Sequence, residues 1–404
     1  MKKIEGGVCA PVGFRANGVH CGIRKNKTKR DLSLIVSDVR AAAACVYTQN
    51  LVKGAPIRVT KRHVADGYAQ AIVCNSGNAN TCNADGEEIA EGMCALVEGQ
   101  TGIPAADVVV ASTGVIGQPL SLEPIRAGMP SLAEGLSEDG SLFAAQGIMT
   151  TDTVDKQIAY SFTLGGKECR IGAIGKGVGM INPNMATMLI FITTDASISP
   201  EMLQKALSAD VKDSFNMVSV DGDTSTNDMV CVLANGMAEN EPVTAPGKDF
   251  TVFRKALSKV TTALCRSIAK DGEGATKLLE CKVTGAKSRQ AARTVAKSVI
   301  KSSLFKAAMF GADANWGRVL CAIGYAGAEV DIGRVSVDFR SRAGTVAVCR
   351  EGSGIPFSEE EAKKVLSEDE IEVLIRLGDG NGKATAWGCD LTYDYVKING
   401  DYRT

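Results

Sequence analysis

Histidine is scarce in this sequence, and its scarcity narrows the chemistry that the chain can carry. Only two histidines, His20 and His63, occur in 404 residues, and neither is close to a plausible nucleophile motif. A Ser-His-Asp or Cys-His mechanism depends on a histidine base, so we expect both residues to have packing or surface roles. Three S-x-x-K matches lack the S-D-N and K-T-G motifs of serine β-lactamases, so they indicate no such enzyme.

The chain also lacks an excess of charge and a long apolar run. Its 45 Lys and Arg residues balance 46 Asp and Glu residues, giving a formal net charge of -1. Such a chain has no global field that would attract nucleic acid or an anionic membrane. Its apolar runs are too short to cross a bilayer, and no export signal follows the basic start. We therefore expect a cytoplasmic protein without a nucleic-acid or membrane partner.

Motifs for metals and nucleotides are missing as well. The 13 cysteines include no C-x-x-C pair, so we expect reduced, mostly buried thiols and no zinc site. The acidic loop DGDTSTND fails the EF-hand pattern, because Thr226 and Val232 occupy its glycine and twelfth positions. We expect this loop to support a site rather than hold calcium. Neither GKGVG nor GDGNGKA has the spacing of a nucleotide-binding loop, so no metal or organic cofactor is expected.

What is present points to layers of helices and strands. The strand-like segments QAIVCNS and DVVVAST flank a helical run from about Glu87 to Val97, which predicts a β-α-β unit. Ser199 as N-cap and Pro200 at the first helical position predict a helix that runs to about Phe215.

The last third of the chain has its own patterns. Basic residues recur every four positions from Arg289 to Lys301, which predicts one long helix ending at Gly311, with a solvated basic stripe or a contact to a phosphorylated ligand. The strand-like EVLIRL and the alternating residues 387–395 flank GDGNGKA, which predicts a β-hairpin.

With histidine chemistry set aside, a threonine nucleophile is the remaining candidate. Threonine becomes a useful nucleophile when it is the N-terminal residue, because its own α-amine then acts as the base. An internal threonine reaches that state only if the backbone is cut, and the turn-rich PNMATML suits a cut between Ala186 and Thr187. From spacing alone, a strand that merely starts with threonine is the better interpretation of this segment.

Several long motifs in one order resemble those of a known family, the ornithine acetyltransferases or glutamate N-acetyltransferases. KGVGMINPNMATML resembles the family's self-cleavage motif, ASTGVIG its oxyanion loop and MTTDT a substrate loop; KDGEGATK, FGADANWGR and INGDYRT resemble its later signatures. The resemblance covers essentially the whole chain. Two departures are His20-Cys21, where small apolar residues are common, and Gly400, which replaces a frequent alanine in the terminal motif that holds Asn399 and Thr404.

The resemblance implies specific roles for individual residues. Thr187 would be the nucleophile, Thr113 and Gly114 the oxyanion donors, and the bond between Ala186 and Thr187 the cleavage site. The implied substrate-binding residues are Thr150, Lys176, Thr187, Glu273, Asn399 and Thr404. Simpler interpretations also exist: Thr113 and Gly114 could serve a turn, Lys176 could be solvated, Glu273 could begin a helix and Thr404 could be a frayed end.

The resemblance also implies a fold and an activity. The fold would be α+β, a layered αββα sandwich similar to N-terminal-nucleophile amidohydrolases over 1–280, with a smaller α+β domain over 281–404. Fragments 1–186 and 187–404 would stay together in an α2β2 assembly. The enzyme would move acetyl from N-acetylornithine to glutamate, with acetyl-CoA as an open second donor. The alternatives are a threonine-nucleophile aminopeptidase or amidase, and a non-catalytic scaffold.

Overall fold

The structure is a computed structural model that describes residues 1–182 and 188–400. Its strands are β1 Lys2–Ile4, β2 Phe14–Val19, β3 Leu32–Tyr47, β4 Tyr68–Asn75, β5 Val108–Ser112, β6 Lys156–Leu164, β7 Lys167–Lys176, β8 Leu189–Thr194, β9 Val218–Ser219, β10 Met229–Ala234, β11 Leu278–Ala286, β12 Ser336–Ser341, β13 Gly344–Arg350, β14 Ser353–Gly354, β15 Glu370–Arg376 and β16 Gly382–Cys389. Its α-helices are α1 Ala55–His63, α2 Gly86–Thr101, α3 Glu123–Glu134, α4 Ser141–Ile148, α5 Pro200–Asp210, α6 Lys248–Lys270, α7 Arg289–Lys301, α8 Ser303–Phe310, α9 Trp316–Gly324, α10 Glu359–Leu366 and α11 Tyr393–Asn399. None of these helices is long and apolar enough to span a bilayer.

The described residues form two compact units. The first holds Met1–Gly177, 188–212 and Thr224–Leu264, and the second holds 178–182, Asp213–Asp223 and 265–400. The division at 264/265 precedes the predicted boundary at 280/281, because β11 pairs with β15 and β16 of the second unit. Whether 1–280 and 281–404 behave as separate domains stays a prediction.

The predicted β-α-β unit is confirmed in the first unit. β4 and β5 are parallel, with Asn75 opposite Ser112, and α2 connects them. They belong to a nine-stranded sheet in the order β1-β6-β7-β8-β10-β3-β4-β5, with β2 also paired to β3. Parallel neighbours end at the same edge of a sheet, so the loops that follow β4 and β5 lie side by side.

The long strand β3 folds this sheet into two facing layers. Residues 32–37 pair with β2 and β4, residues 42–47 pair with β10, and the exposed residues 38–40 lie between them. If β3 were straight, its 16 residues would separate its ends by about 50 Å, at roughly 3.3 Å per residue. Asn227 lies just before β10, which pairs with the last residues of β3, and Ser112 ends β5, which lies beside the first residues of β3. Yet Asn227 Nδ2 donates to Ser112 O at 3.0 Å. The sheet therefore turns back on itself at 38–40.

Apolar side chains fill the space between the two layers. Ile35, Ile72 and Val109 of one layer share a buried cluster with Phe191 and Leu233 of the other. On the outer face of the first layer, α2 and α3 pack their apolar sides against β3, β4 and β5. On the outer face of the second layer lie α5 and α6, whose contacts include a 6.4 Å Phe162–Phe253 ring pair. The predicted α+β class and αββα layering are confirmed.

The second unit has a seven-stranded sheet in the order β14-β13-β12-β15-β11-β16-β9. The predicted hairpin of EVLIRL and 387–395 is wrong, because β11 lies between β15 and β16 and pairs with both. Tyr393 and Tyr395 belong to α11 rather than to a strand. The turn GDGNGKA thus connects two strands that are not neighbours.

Two predicted helices end earlier than expected. Ser199 Oγ accepts from Met202 N at 3.3 Å, as predicted, but α5 stops at Asp210. The predicted long basic helix is two helices, α7 and α8, because Ser302 leaves the helical conformation and caps Phe305 N.

The basic stripe of α7 is only partly solvated. Arg293 forms an ion pair with Asp213 at 2.6 Å, and Lys297 donates to Asn216 O at 2.8 Å. Both side chains hold residues 213–218 in place. For Arg293 and Lys297, the predictions of a solvated stripe and of a phosphate contact are therefore both wrong.

Two expectations are confirmed: the histidines have packing roles, and most of the cysteines are buried. His63 Nδ1 lies 2.8 Å from Val108 O, and His20 Nδ1 lies 3.0 Å from Lys29 O. All 13 cysteines are free thiols and most are buried.

The core between the layers makes a testable prediction. Leu233 is fully buried there, so Leu233→Ala should lower the free energy of unfolding by about 2–5 kcal/mol in a urea titration. Leu51 is 95% exposed, and Leu51→Ala should change it by less than about 0.5 kcal/mol. Equal effects of the two substitutions would contradict a buried core between facing layers.

Candidate active site

The loop after β5 holds Thr113, which is buried, and Gly114, which is half-buried. Thr113 N donates to Asn75 O at 2.9 Å, so this loop continues the pairing of β4 with β5. Gly114 has φ +130°, and a Cβ there would lie 2.8 Å from Asn78 N. Only glycine fits that close approach of two backbones.

Asn227 ties this loop to the segment before β10. Its Nδ2 donates to Ser112 O at 3.0 Å and to Ala79 O at 2.5 Å, and its Oδ1 accepts from Thr81 Oγ1 at 2.6 Å. One side-chain amide therefore connects three parts of the chain: the segment after β4, the end of β5 and the segment before β10. Asn227 of the DGDTSTND loop therefore braces the end of β5, just before Thr113 and Gly114.

Lys176, the last residue of β7, is held beside Thr150. Lys176 Nζ lies 3.2 Å from Thr150 Oγ1, while Thr150 N and Gly177 N both donate to Asp152 at 3.0 Å. Asp152 also pairs with Lys156 Nζ at 2.8 Å, and neither of these two side chains is exposed. The structure thus brings together two predicted substrate-binding residues, Thr150 and Lys176.

Burial and the neighbouring carboxyl groups have opposite effects on the pKa of Lys176. Burial lowers the pKa of Lys176, while the carboxyl groups of Asp152 and Asp228 act in the opposite direction. Burial alone would raise the pKa of Asp152, but the ammonium groups of Lys156 and Lys176 bring it below its usual value. Burial raises the pKa of Asp228 well above its usual value, against the effect of Ser225 and Lys176. Lys176 therefore lies between one ionised carboxylate and one that favours its neutral form.

The start of β8 adjoins this group. Leu189 is the register partner of Lys176 in β7 and of Met229 in β10, and Met229 N donates to Met188 O at 2.9 Å. The predicted cleavage residues Ala186 and Thr187 precede Met188 in the sequence and lie outside the described residues, as does Thr404. Their roles stay predictions.

A second group of predicted residues lies within the second unit. Asn399 Nδ2 donates to Glu273 Oε2 at 2.7 Å, and Glu273 N donates to Val178 O at 3.0 Å. Glu273 is only 8% exposed and does not begin a helix, since α6 ends at Lys270. The structure therefore brings Glu273 and Asn399 together, and their role in substrate binding stays a prediction.

No role is predicted from the sequence for two buried acids at the site, Asp152 and Asp228. Asp152 falls inside the quoted MTTDT motif, and Asp228 is the last residue of DGDTSTND, so each was within a recognised segment. An acid in a polar loop is usually solvated, and only the tertiary structure reveals that these two are buried. Among residues 1–182 and 188–400, no group of three His, Cys, Asp or Glu side chains is arranged to hold a metal ion.

Comparisons with known proteins identify the family. The model of the ArgJ family matches residues 15–404. Arginine biosynthesis bifunctional protein ArgJ 1 from Clostridium acetobutylicum is 50% identical over 392 residues, which cover 97% of this chain and 96% of the relative.

Two crystal structures are also similar to this chain. Arginine biosynthesis bifunctional protein argJ from Bacillus halodurans is 49% identical with a TM-score of 0.49, covering 52% of this chain and 96% of that chain. Ornithine acetyltransferase complexed with ornithine, from Mycobacterium tuberculosis, is 34% identical with a TM-score of 0.43, covering 46% of this chain and 99% of that chain.

This chain belongs to the ArgJ family, as its motifs predicted, and is an enzyme of arginine biosynthesis. Membership of this family does not favour the aminopeptidase or amidase alternative. The alternative of a non-catalytic scaffold is wrong, because the chain belongs to a family of enzymes.

The buried ion pair yields a prediction about stability. Asp152→Asn removes the carboxylate that faces Lys156 and Lys176, so the free energy of unfolding at neutral pH should fall by about 3–5 kcal/mol. Because folding lowers the pKa of Asp152, its contribution is complete above the usual value of 3.8 and is lost as the pH falls through the lowered value. Denaturant titrations at several pH values measure both effects.

The exposed Asp155 provides the control. Asp155→Asn should change the free energy of unfolding by less than about 0.5 kcal/mol at every pH. A loss in the Asp152 variant that persists unchanged in acid would contradict the role of the ionised carboxylate.

Proposed function

We propose that this enzyme transfers an acetyl group from N-acetylornithine to glutamate through an ester on Thr187. The observation that carries the proposal is the position of Lys176. It is hydrogen-bonded to Thr150 and opposite Leu189, two residues after Thr187 in the sequence. An ammonium and a hydroxyl beside the start of that strand suit the binding of a carbonyl or carboxylate group.

The nucleophile arises by cleavage of the chain between Ala186 and Thr187. The Thr187 hydroxyl attacks the Ala186 carbonyl carbon, the peptide C–N bond breaks, and an ester forms with a free α-amine on Thr187. Water then hydrolyses the ester, which leaves Ala186 with a carboxylate and Thr187 as an N-terminal residue. Its α-amine has a reference pKa near 7.7–8.0, so a useful fraction is neutral at pH 7 and can act as a base.

Acetyl transfer then proceeds in two half-reactions. The Thr187 amine takes the proton of its own hydroxyl, which attacks the acetyl carbonyl of N-acetylornithine, and ornithine leaves after protonation by the same amine. The α-amine of glutamate attacks the acetyl ester, giving N-acetylglutamate and free Thr187. Thr113 and Gly114 stabilise the oxyanion in both steps, and the close approach of their loop to the backbone at Gly77 and Asn78 suits that role.

The remaining roles follow the family resemblance. Thr150, Lys176, Glu273, Asn399 and Thr404 bind the substrate, and the carboxylate of Glu273 suits an ammonium group of an amino acid. The chemistry described needs no metal or organic cofactor. We further propose an α2β2 assembly of fragments 1–186 and 187–404 in the cytoplasm, with acetyl-CoA as a possible second acetyl donor.

Denatured-protein mass spectrometry tests the cut and the ester together. After mixing with N-acetylornithine alone, the 42.3 kDa chain should give pieces of roughly 19 and 23 kDa, in proportion to their 186 and 218 residues. The larger piece should begin at Thr187 and carry one acetyl group. Added glutamate should remove that group and yield N-acetylglutamate, and acetyl-CoA in place of N-acetylornithine tests the second donor.

Thr187→Ala should stay whole and unlabelled, while Thr163→Ala, at an exposed position on β6, should behave like the parent. An intact parent chain would sink the threonine mechanism. Cleavage followed by loss of acetyl at the same rate with and without glutamate would instead indicate a hydrolase.

Thr113→Val separates the oxyanion role from a turn role. The substitution keeps the shape of the side chain and removes its hydroxyl, so kcat should fall about 10²–10³-fold, with little change in KM. Thr163→Val is the matched control and should leave both constants unchanged. A Thr113→Val enzyme with the parent's kcat would remove the hydroxyl from the mechanism.

A further inference from the structure

Asp221 holds the backbone that leads to the proposed cleavage site. Its two carboxylate oxygens accept hydrogen bonds from Met180 N at 2.5 Å and Ile181 N at 2.9 Å. Val220 N donates to Ile181 O at 2.7 Å, and Asn182 Nδ2 donates to Gly222 O at 2.9 Å. Residues 180–182 are thus fixed along 220–222 by four bonds, of which two end on one carboxylate.

The backbone held there is strained. Met180 has φ +54°, a left-handed conformation that is uncommon for residues other than glycine, asparagine and aspartate. Such a conformation is energetically unfavourable and persists only where neighbouring contacts enforce it. The short bond from Met180 N to Asp221 is such a contact, because it fixes the amide at the strained residue.

The same carboxylate belongs to a closed ring of contacts within the second unit. Asp221 faces the hydroxyl of Tyr395, and Tyr395 O accepts from Asn399 Nδ2 at 3.1 Å. Asn399 also donates to Glu273, whose carboxyl group packs against Gly179 so closely that a Cβ there would lie 2.5 Å away. The ring therefore links residues 179–181 to the pair predicted to bind substrate.

We propose that Asp221 is a positioning residue that sets residues 180–182 for self-cleavage and links them to Glu273 and Asn399. This inference rests on the proposed cleavage between Ala186 and Thr187. Asp221 acts through residues 180–182, which lead in the sequence to the reacting bond. The ionised carboxylate is needed, because both of its oxygens accept amide hydrogens and neither can donate.

The charges around Asp221 make its role sensitive to pH. Burial raises the pKa of Asp221, and the negative charge of Asp223 adds to this effect, against hydrogen bonds from the amides of residues 180, 181 and 223. From the packed elements, Tyr395 of α11 and Cys389 of β16 face the carboxyl group. Acid should therefore protonate Asp221 at a higher pH than an ordinary aspartate and remove one acceptor.

Cell-free synthesis of the full chain followed by a timed chase measures the rate of cleavage. Asp221→Asn replaces one carboxylate oxygen by an NH2 group, which cannot accept a hydrogen bond from the backbone N–H that it faces. Cleavage should therefore slow about tenfold or more. In the parent the rate should decline as the pH falls through the raised pKa, whereas the variant should lack this decline. Tyr395→Phe, which keeps both amide acceptors, should cleave at a rate between those of the parent and Asp221→Asn.

Asp223→Asn is the matched control, since Asp223 is exposed and lies two residues away. It should cleave like the parent at neutral pH, while the decline in acid should move to lower pH because the charge of Asp223 no longer raises the pKa of Asp221. If the parent cleaves and Asp221→Asn matches it in rate and pH profile, the inference is overturned and the proposed function stands. If Asp221→Asn fails to fold, a Tyr395→Phe chain that cleaves at the parent's rate overturns the inference. A parent that never cleaves overturns both.

Discussion

The fold of β3 back on itself is the constraint on which the candidate site depends. A flat nine-stranded sheet would place the end of β5 and the start of β10 at opposite ends of a 16-residue strand. The turn at 38–40 stacks them instead, so the side chain of Asn227 reaches Ser112. The loops that carry Thr113, Gly114 and Asp228 therefore converge because the sheet is folded, and the apolar core between its layers stabilises that convergence.

Buried charge is the second constraint at this end of the sandwich. Asp152, Asp228 and Lys156 are buried, and the ammonium group of the half-buried Lys176 acts on both carboxyl groups. Burial of a charge is costly unless a partner offsets it, and Asp152 offsets both lysines. Asp152 thereby favours the charged form of Lys176, against the effect of burial, beside a strand that begins two residues after the proposed nucleophile.

Sequence patterns correctly predicted the structural features that depend on residues close together in the chain. The alternation in β4 and β5 and the cap at Ser199 depend on contacts within a few residues, and both were predicted correctly. The hairpin of β15 and β16 failed because β11, about ninety residues earlier in the chain, lies between them. Motifs brought Thr150 and Lys176 to attention, but the burial of Asp228 and the ring around Asp221 depend on distant segments that no local pattern shows.

Strand order also explains how two fragments could stay one molecule after the proposed cut. β7 belongs to 1–186, while its neighbour β8 belongs to 187–404, and β8 continues to β10, which pairs with β3 of the first fragment. Separating the fragments would break both sets of backbone hydrogen bonds and expose the core between the layers. The chain on the two sides of 183–187 is held independently, by Val220 at Ile181 and by Met229 at Met188. Cleavage of one peptide bond would therefore free a nucleophile without releasing the strands that position it.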